Sequence, residues 1–424
     1  MRKQIDKIRV SAGEDLLAFI PHMVGYWPED SVVCIGMGGK RLRATMRLDL
    51  PPEDAVETGH FAAIAASQLA SDGGADGCLI AIFGRRDWHG PGDCPHADLY
   101  DALRDAFEGC GLHVRDSWYV GPEHWRSLEC NDAGCCPWPG KDNASIKESF
   151  INAEFIFRGS RVGDSPKEQI KDLIEVRDDG LTARVAAAGN DLGQLFAGGG
   201  VSARQLAAIL GAWEFSLGCW PNPPDPAMAA FLLASLADGT ARDAVIVALA
   251  IDPGRALGGA IGMRLLVPDT GQVQVPRNWY GGNQAAGCVV SIEDNSETAF
   301  LRAGRDFSSI LIGEVGTGVD SRKVVGPDWA RLDRAEPLLQ WLARATDGRD
   351  KAPVLCLLGW IQWCKGRGTW AGNYFIACQQ FQPGYRLAGM LEELLNVGYI
   401  AECAKDPQTA WRGYQGDRSD GQAA

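Results

Sequence analysis

Apolar positions along the first half of the chain switch repeatedly between a two-residue and a three-to-four-residue period. Residues 8–10 read as a short strand, and DLLAFIPHMVG (15–25) has helical spacing, with Ser11 as a cap, Glu14 as its partner three residues later and Pro21 as a break or kink. SVVCIGM and RLRATMRLDL are strand-like runs joined at Gly38, Gly39 and Lys40, which predicts a hairpin. The stretch from Pro51 to Gly74 opens with proline and acidic residues, is rich in alanine and ends in glycines, so it reads as a helix. CLIAIFG is a short continuous apolar run suited to a buried strand. LYDALRDAFEGCG then carries helical spacing, and LHVRDSWYVG returns to strand character. This alternation predicts a mixed α/β fold, a mixed sheet with packed helices, for the N-terminal half.

The pattern changes after residue 185. AGGGVSA (197–203) looks like a hinge before the helical run SARQLAAILGAWEFSL, and WPNPPDP is a turn that restarts a helix near Asp225. From Gly258 to Val325 glycine is frequent, and RLLVPDTGQVQVP and SSILIGEVGTG predict hairpins in this mixed middle segment. RLDRAEPLLQWLARAT, APVLCLLGWIQWCKG, TWAGNYFIACQQF and YRLAGMLEELLNVG all have helical spacing with short Gly or Pro breaks, which predicts an all-helical C-terminal bundle. Trp363, Gly366, Tyr374, Ala377 and Pro383 in one helix pair are similar to a tetratricopeptide unit, but a single pair does not make a repeat fold. The expected plan is residues 1–185 as the α/β part with a Cys-rich segment, 186–325 as the middle segment, 326–403 as the bundle and 404–424 as a flexible polar tail.

At 424 residues the chain is long for one core, and 46% hydrophobic with 22% charged residues is an ordinary globular composition. A net charge of −13 opposes bulk attraction to nucleic acid or an anionic membrane. Arg41, Arg43 and Arg47 form the one N-terminal basic patch worth noting, and their spacing equally suits a solvated strand face. The start lacks the apolar core of an export signal, and no apolar run reaches membrane-spanning length, so a cytoplasmic location is expected. Thirteen cysteines in such a chain are expected to be mostly free thiols.

Three blocks, PHMVGYWPEDSVVCIGM with RATMRLDLP, CNDAGCCPWPGK, and LLGWIQWCKG through LLNVG, resemble an actinobacterial family catalogued only as domain of unknown function 4192. The resemblance implies a shared fold and carries no established activity. The Gly-rich stretch from about Gly258 to Val325 looks longer than is usual for the family, which implies an insertion there.

The chemistry concentrates in one place. His89, Cys94, His96, Cys110, His113, His124, Cys130, Cys135 and Cys136 fall between residues 89 and 136, where uniform scatter of thirteen Cys and six His would put about two. Thiolates and neutral imidazoles are the ligands zinc prefers, so Cys130, Cys135 and Cys136 are candidate ligands, with Cys94, His96 or His124 as a fourth. The spacing completes no standard zinc pattern. Packed structural thiols and a redox-labile group around the Cys-Cys-Pro turn are the competing readings.

Other motifs are weaker. GCCPWPGKD has Asp142 where a phosphate loop needs Ser or Thr, GMGGKR leads into a strand instead of a helix, and GEVGTG shares that weakness. Asp269-Thr270-Gly271 matches an aspartic-protease triplet but occurs once and reads as a turn. Trp213, Trp341, Trp360 and Trp363 fall in helical patterns and read as core, whereas Trp279 and Trp370 are candidates for exposure. No Gly-x-Ser-x-Gly elbow occurs, and the histidines suggest no Ser-His-Asp order. Two function classes stay open: a noncatalytic interaction or regulatory protein with a partner-binding helical end, and a metal- or thiol-dependent hydrolase-like enzyme with its site between the α/β and helical parts.

Overall fold

A computed structural model describes residues 12–51, 58–158, 160, 162–175, 178–189, 192, 199–269, 271–276, 290, 296–317, 324–406 and 408–411. Contacts divide the chain into two compact units, Met1–Pro166 and Lys167–Ala424.

The first unit is built on helix α1 (Gly13–Val24), strands β1 (Ser31–Gly38) and β2 (Arg41–Asp49), helix α2 (Thr58–Ala70), strand β3 (Gly77–Phe83), helix α3 (Ala97–Gly109) and strands β4 (His113–Val120), β5 (His124–Ser127) and β6 (Lys141–Asp142). Helices α4 (Ala144–Lys147) and α5 (Phe150–Phe157) follow. The six strands form one sheet in the order β2-β1-β3-β4-β5-β6, with β3 and β4 parallel and the other pairs antiparallel. The mixed sheet with packed helices is therefore as the alternation predicts, and the turn at Gly38–Lys40 joins β1 to β2 as expected.

Period-two geometry explains the continuous apolar strands. Val32, Cys34, Cys78, Ile80 and Ile82 face one core with α2 and α3, while Val33, Ile35, Leu79, Ala81 and Phe83 face a second core with α1, Ile146 and Ile151. A strand covered on both faces has no polar side to show. Pro21 sits inside the last turn of α1 without ending it; the helix stops at Gly25, whose φ of 90° lets its N–H reach the Pro21 carbonyl at 2.8 Å. The N-cap is Ala12, with no side-chain cap. Ser11 and the strand expected at 8–10 lie outside the described residues. Arg43 is held by Asp72, and Arg47 by Asp49 at 2.6 Å, so these two arginines are paired.

In the second unit two helices start where the sequence suggests, each under a side-chain cap. Ser202 accepts from Gln205 N–H ahead of helix Ala203–Cys219, and Asp225 accepts from Ala227 and Met228 N–H ahead of helix Pro226–Ser235. One continuous core runs from Ile170 to Cys403, so the segments expected as 186–325 and 326–403 pack as one body. The helix Asp179–Gly189 runs through the boundary expected at residue 185.

The Gly-rich stretch corrects the hairpin expectation in part. GGAIG closes a helix, Pro253–Gly262, and SSIL ends another, Glu297–Leu311, capped by Ser296. A Cβ on Gly262 would meet the Phe300 carbonyl oxygen at 2.0 Å, and one on Gly259 would meet Phe307 at 2.7 Å. These glycines mark two helix backbones in close approach, not turns. The described strand pairings here are the antiparallel pair Gly316–Thr317 with Val324–Val325 and a single bridge between Val267 and Ser202. Thr270 and the WYGGNQAAG loop with Trp279 lie outside the described residues.

The last helices, Trp329–Arg344, Lys351–Cys364, Gly368–Phe381 and Arg386–Asn396, form the expected bundle, with Trp213, Trp360 and Trp363 fully buried. The polar end is packed as far as Trp411: Trp329 Nε1 donates to the Thr409 carbonyl at 2.8 Å and Trp411 Nε1 to Asp333 at 3.2 Å. No described helix is long and apolar enough to cross a membrane.

Candidate functional site

Strand β5 delivers the Cys-rich loop. Its last residue, Ser127, accepts the N–H groups of Glu129 and Cys130 on its hydroxyl, each at 3.3 Å, which turns the chain out of the sheet. Asp132 then organises the turn. Its side chain accepts Gly134 N–H at 2.8 Å, and its carbonyl accepts Cys135 N–H at 3.1 Å and Cys136 N–H at 2.7 Å. The result is that the sulfurs of Cys130, Cys135 and Cys136 all lie within 4.8 Å of one another. Gly140 brings the chain back to β6 with a φ of 146°, where a Cβ would strike the Trp125 carbonyl oxygen at 2.6 Å.

The three thiols differ in environment. Cys135 is exposed, Cys130 half-buried and Cys136 buried. The N–H of Asp132 and then the Cys136 thiol hold Cys130 below the usual thiol range, whereas burial pushes Cys136 up.

The trio opens onto a cavity of about 280 Å³ that is also lined by Asp116, Arg126, Lys141 and the rings of Trp118 and Trp125. Arg126 is the notable wall residue. It is only 2% exposed, its Nη2 donates to the Cys130 carbonyl at 3.1 Å, and its Nε and Nη1 have no hydrogen-bond partner. Its guanidinium lies 3.4 Å from the Trp138 ring centroid and 4.7 Å from that of Trp88, an aromatic clamp that keeps the charge in place without neutralising it. Among the described residues no carboxylate pairs with it. Burial raises the Asp116 carboxyl above its ordinary range.

The expected fourth ligands do not join the trio. Cys94 packs beside the α2–α3 core, where burial pushes its thiol up to about 11, and its Sγ faces the Pro95 carbonyl at 3.7 Å. His96 occupies the N-cap of α3 in a left-handed conformation, φ 57°, with its ring 6.5 Å from that of Tyr119. His124 belongs to a different group, with Asp87 and Glu123. There Asp87 accepts the N–H groups of His124 at 2.9 Å and Glu123 at 3.2 Å, so it closes the β4–β5 turn. Clustering in sequence put these residues in one window, but only Cys130, Cys135 and Cys136 bring their ligand atoms within 4.8 Å of one another as one group.

A family model matches residues 14–257 and 324–401, under the description domain of unknown function, DUF4192. The chain belongs to the DUF4192 family. The match skips residues 258–323, the stretch whose length departs from the resemblance, while every residue lining the three-thiol cavity except Gly13 lies inside the matched region. No curated protein and no solved structure matches the chain. DUF4192 carries no assigned activity, so the function has to be argued from the site.

Sequence reasoning missed Arg126 and Asp116. Each stands in an ordinary strand pattern, and nothing local marks a buried arginine as unpaired.

Proposed function

We propose that Cys130, Cys135 and Cys136 hold a zinc ion through three thiolates, and that its fourth position faces the cavity and takes a small anionic ligand beside Arg126. The observation that carries this is the convergence of three sulfurs on one open cavity whose wall bears a buried guanidinium with two unused donors. With Zn–S bonds of about 2.3 Å, tetrahedral geometry needs sulfurs about 3.8 Å apart, so the thiols need to close by no more than about 1 Å. Two Arg126 donors are buried without a partner, which is costly, and an anionic ligand that accepts from them removes that cost. Asp116 supplies a carboxyl on the same wall.

The reading requires a reducing compartment, in keeping with a cytoplasmic protein. All twelve described cysteines are free thiols. The test is elemental analysis of protein purified without a polyhistidine tag, beside the Cys130→Ser/Cys135→Ser variant. About one zinc per chain is expected, lost in the variant together with thermal stability. A metal-free wild type, or a variant that keeps its metal content, sinks the proposal.

A further inference from the structure

The geometry points to a second site in the first unit, separate from the cysteines: Ser160, His22 and Asn152 form a hydroxyl-activating relay on a cavity of about 680 Å³, suited to opening small carboxylic esters. The sequence offers no Ser-His-Asp order because the three residues come from three places in the chain: the end of α1, the first turn of α5 and the segment after α5.

The proton positions follow from the hydrogen bonds. Asn152 Nδ2 donates to the Lys147 carbonyl at 2.5 Å, which turns Asn152 Oδ1 toward His22 Nε2, 2.9 Å away. An amide oxygen only accepts, so His22 carries its proton on Nε2 and presents a lone pair at Nδ1. Ser160 Oγ lies 2.9 Å from that Nδ1 and donates to it. This is the arrangement a nucleophilic hydroxyl needs, a base in hydrogen-bond reach that is itself oriented by a third group.

The relay is held on all sides. The His22 ring stacks on Phe155 at 4.8 Å with 13° between planes, Ser160 N–H donates to the Phe155 carbonyl at 2.9 Å, and Gly163 N–H donates to the Gly25 carbonyl at 3.0 Å. The cavity wall includes Pro21, Trp27, Ile146 and Ile156, which suit an apolar acyl or alkyl group, and its volume is that of a small-molecule site. The Oδ1 of Asn143, a residue 7% exposed, has no hydrogen-bond partner, and the Lys147 ammonium, 5.5 Å from the Trp27 ring centroid, has no carboxylate partner among the described residues. Lys147 supplies positive charge for a developing oxyanion or an anionic substrate end, and Asn143 Oδ1 accepts from a substrate O–H or N–H.

The reaction balances without a cofactor. Ser160 Oγ bonds to the ester carbonyl carbon as its proton passes to His22 Nδ1. The carbon–oxygen bond to the leaving alcohol then breaks, and the alkoxide takes that proton. Water, deprotonated by His22, cleaves the acyl-serine to carboxylic acid and regenerates the hydroxyl. His22 and Ser160 are the catalytic residues, and Asn152 is a positioning residue.

The experiment treats the full-length protein with a fluorophosphonate and maps the adduct by mass spectrometry, beside release of p-nitrophenol from p-nitrophenyl butyrate. One adduct on Ser160 is expected, absent after unfolding in urea and absent in Ser160→Ala. His22→Gln should slow labelling about 100-fold or more. Asn152→Ala should slow labelling and change its pH profile, while Asn152→Asp restores it. Failure of the folded protein to label at Ser160, or labelling of His22→Gln at the wild-type rate, would show the contact to be a packing link and overturn the assignment.

Discussion

Replacing Lys365 by methionine should weaken the second unit severely. Lys365 Nζ lies 2.7 Å from Glu336 Oε2 and 2.7 Å from Asp333 Oδ1, and its side chain is fully buried. Glu336 is itself 6% exposed and accepts from Gln362 Nε2 at 2.8 Å. Methionine keeps the length and loses the charge, so Glu336 retains Gln362 but not its cation. Removing one partner of a buried pair costs about 3–5 kcal/mol, whereas removing both costs far less. For a unit of this size each kcal/mol moves the midpoint by about 2–4 °C, so Lys365→Met should lower it by about 6–20 °C. The assay is thermal and guanidinium unfolding followed by tryptophan fluorescence, run as a cycle with Glu336→Gln and the double variant. The double variant should be more stable than Lys365→Met alone. A loss below about 1 kcal/mol for Lys365→Met, or single losses that simply add, would refute a coupled buried pair.

Gly262→Ala should push apart helices Pro253–Gly262 and Glu297–Leu311 and cost about 1–3 kcal/mol in denaturant, with Gly109→Ala, where a Cβ meets nothing within 4 Å, as the control. Asp116→Asn should stabilise near neutral pH: burial raises the folded pKa of Asp116, so its charged form penalises the fold at about pH 7, and that penalty is gone below about pH 4; melting curves at both values read the difference. Iodoacetamide should modify exposed Cys110 in the folded protein, while Cys34, Cys356 and Cys364, fully buried, should react only after unfolding. If zinc is bound as proposed, Cys135 joins Cys110 only when a chelator is added.

Local patterns determined much of this protein. The strands β1 to β4, the helices α2 and α3, the helix starts near Ser202 and Asp225 and the C-terminal helices were all legible, because period and turn chemistry act over a few residues. The family was legible too, from blocks that keep their order. Glycine in residues 258–325 misled for a physical reason: the same missing Cβ permits a turn or a close helix crossing, and only the partner helix Glu297–Leu311 decides which. The cysteine trio was readable because Asp132 gathers it within seven residues, as the spacing allowed. The sequence did not choose a fourth ligand among Cys94, His96 and His124, and none of them joins the 4.8 Å group that the trio forms. Arg126 at the thiol cavity and the line from Asn152 through His22 to Ser160 belong wholly to tertiary structure. Whether a buried polar group lacks a partner, and which hydroxyl meets which imidazole, depends on how distant segments pack, and no local pattern encodes that.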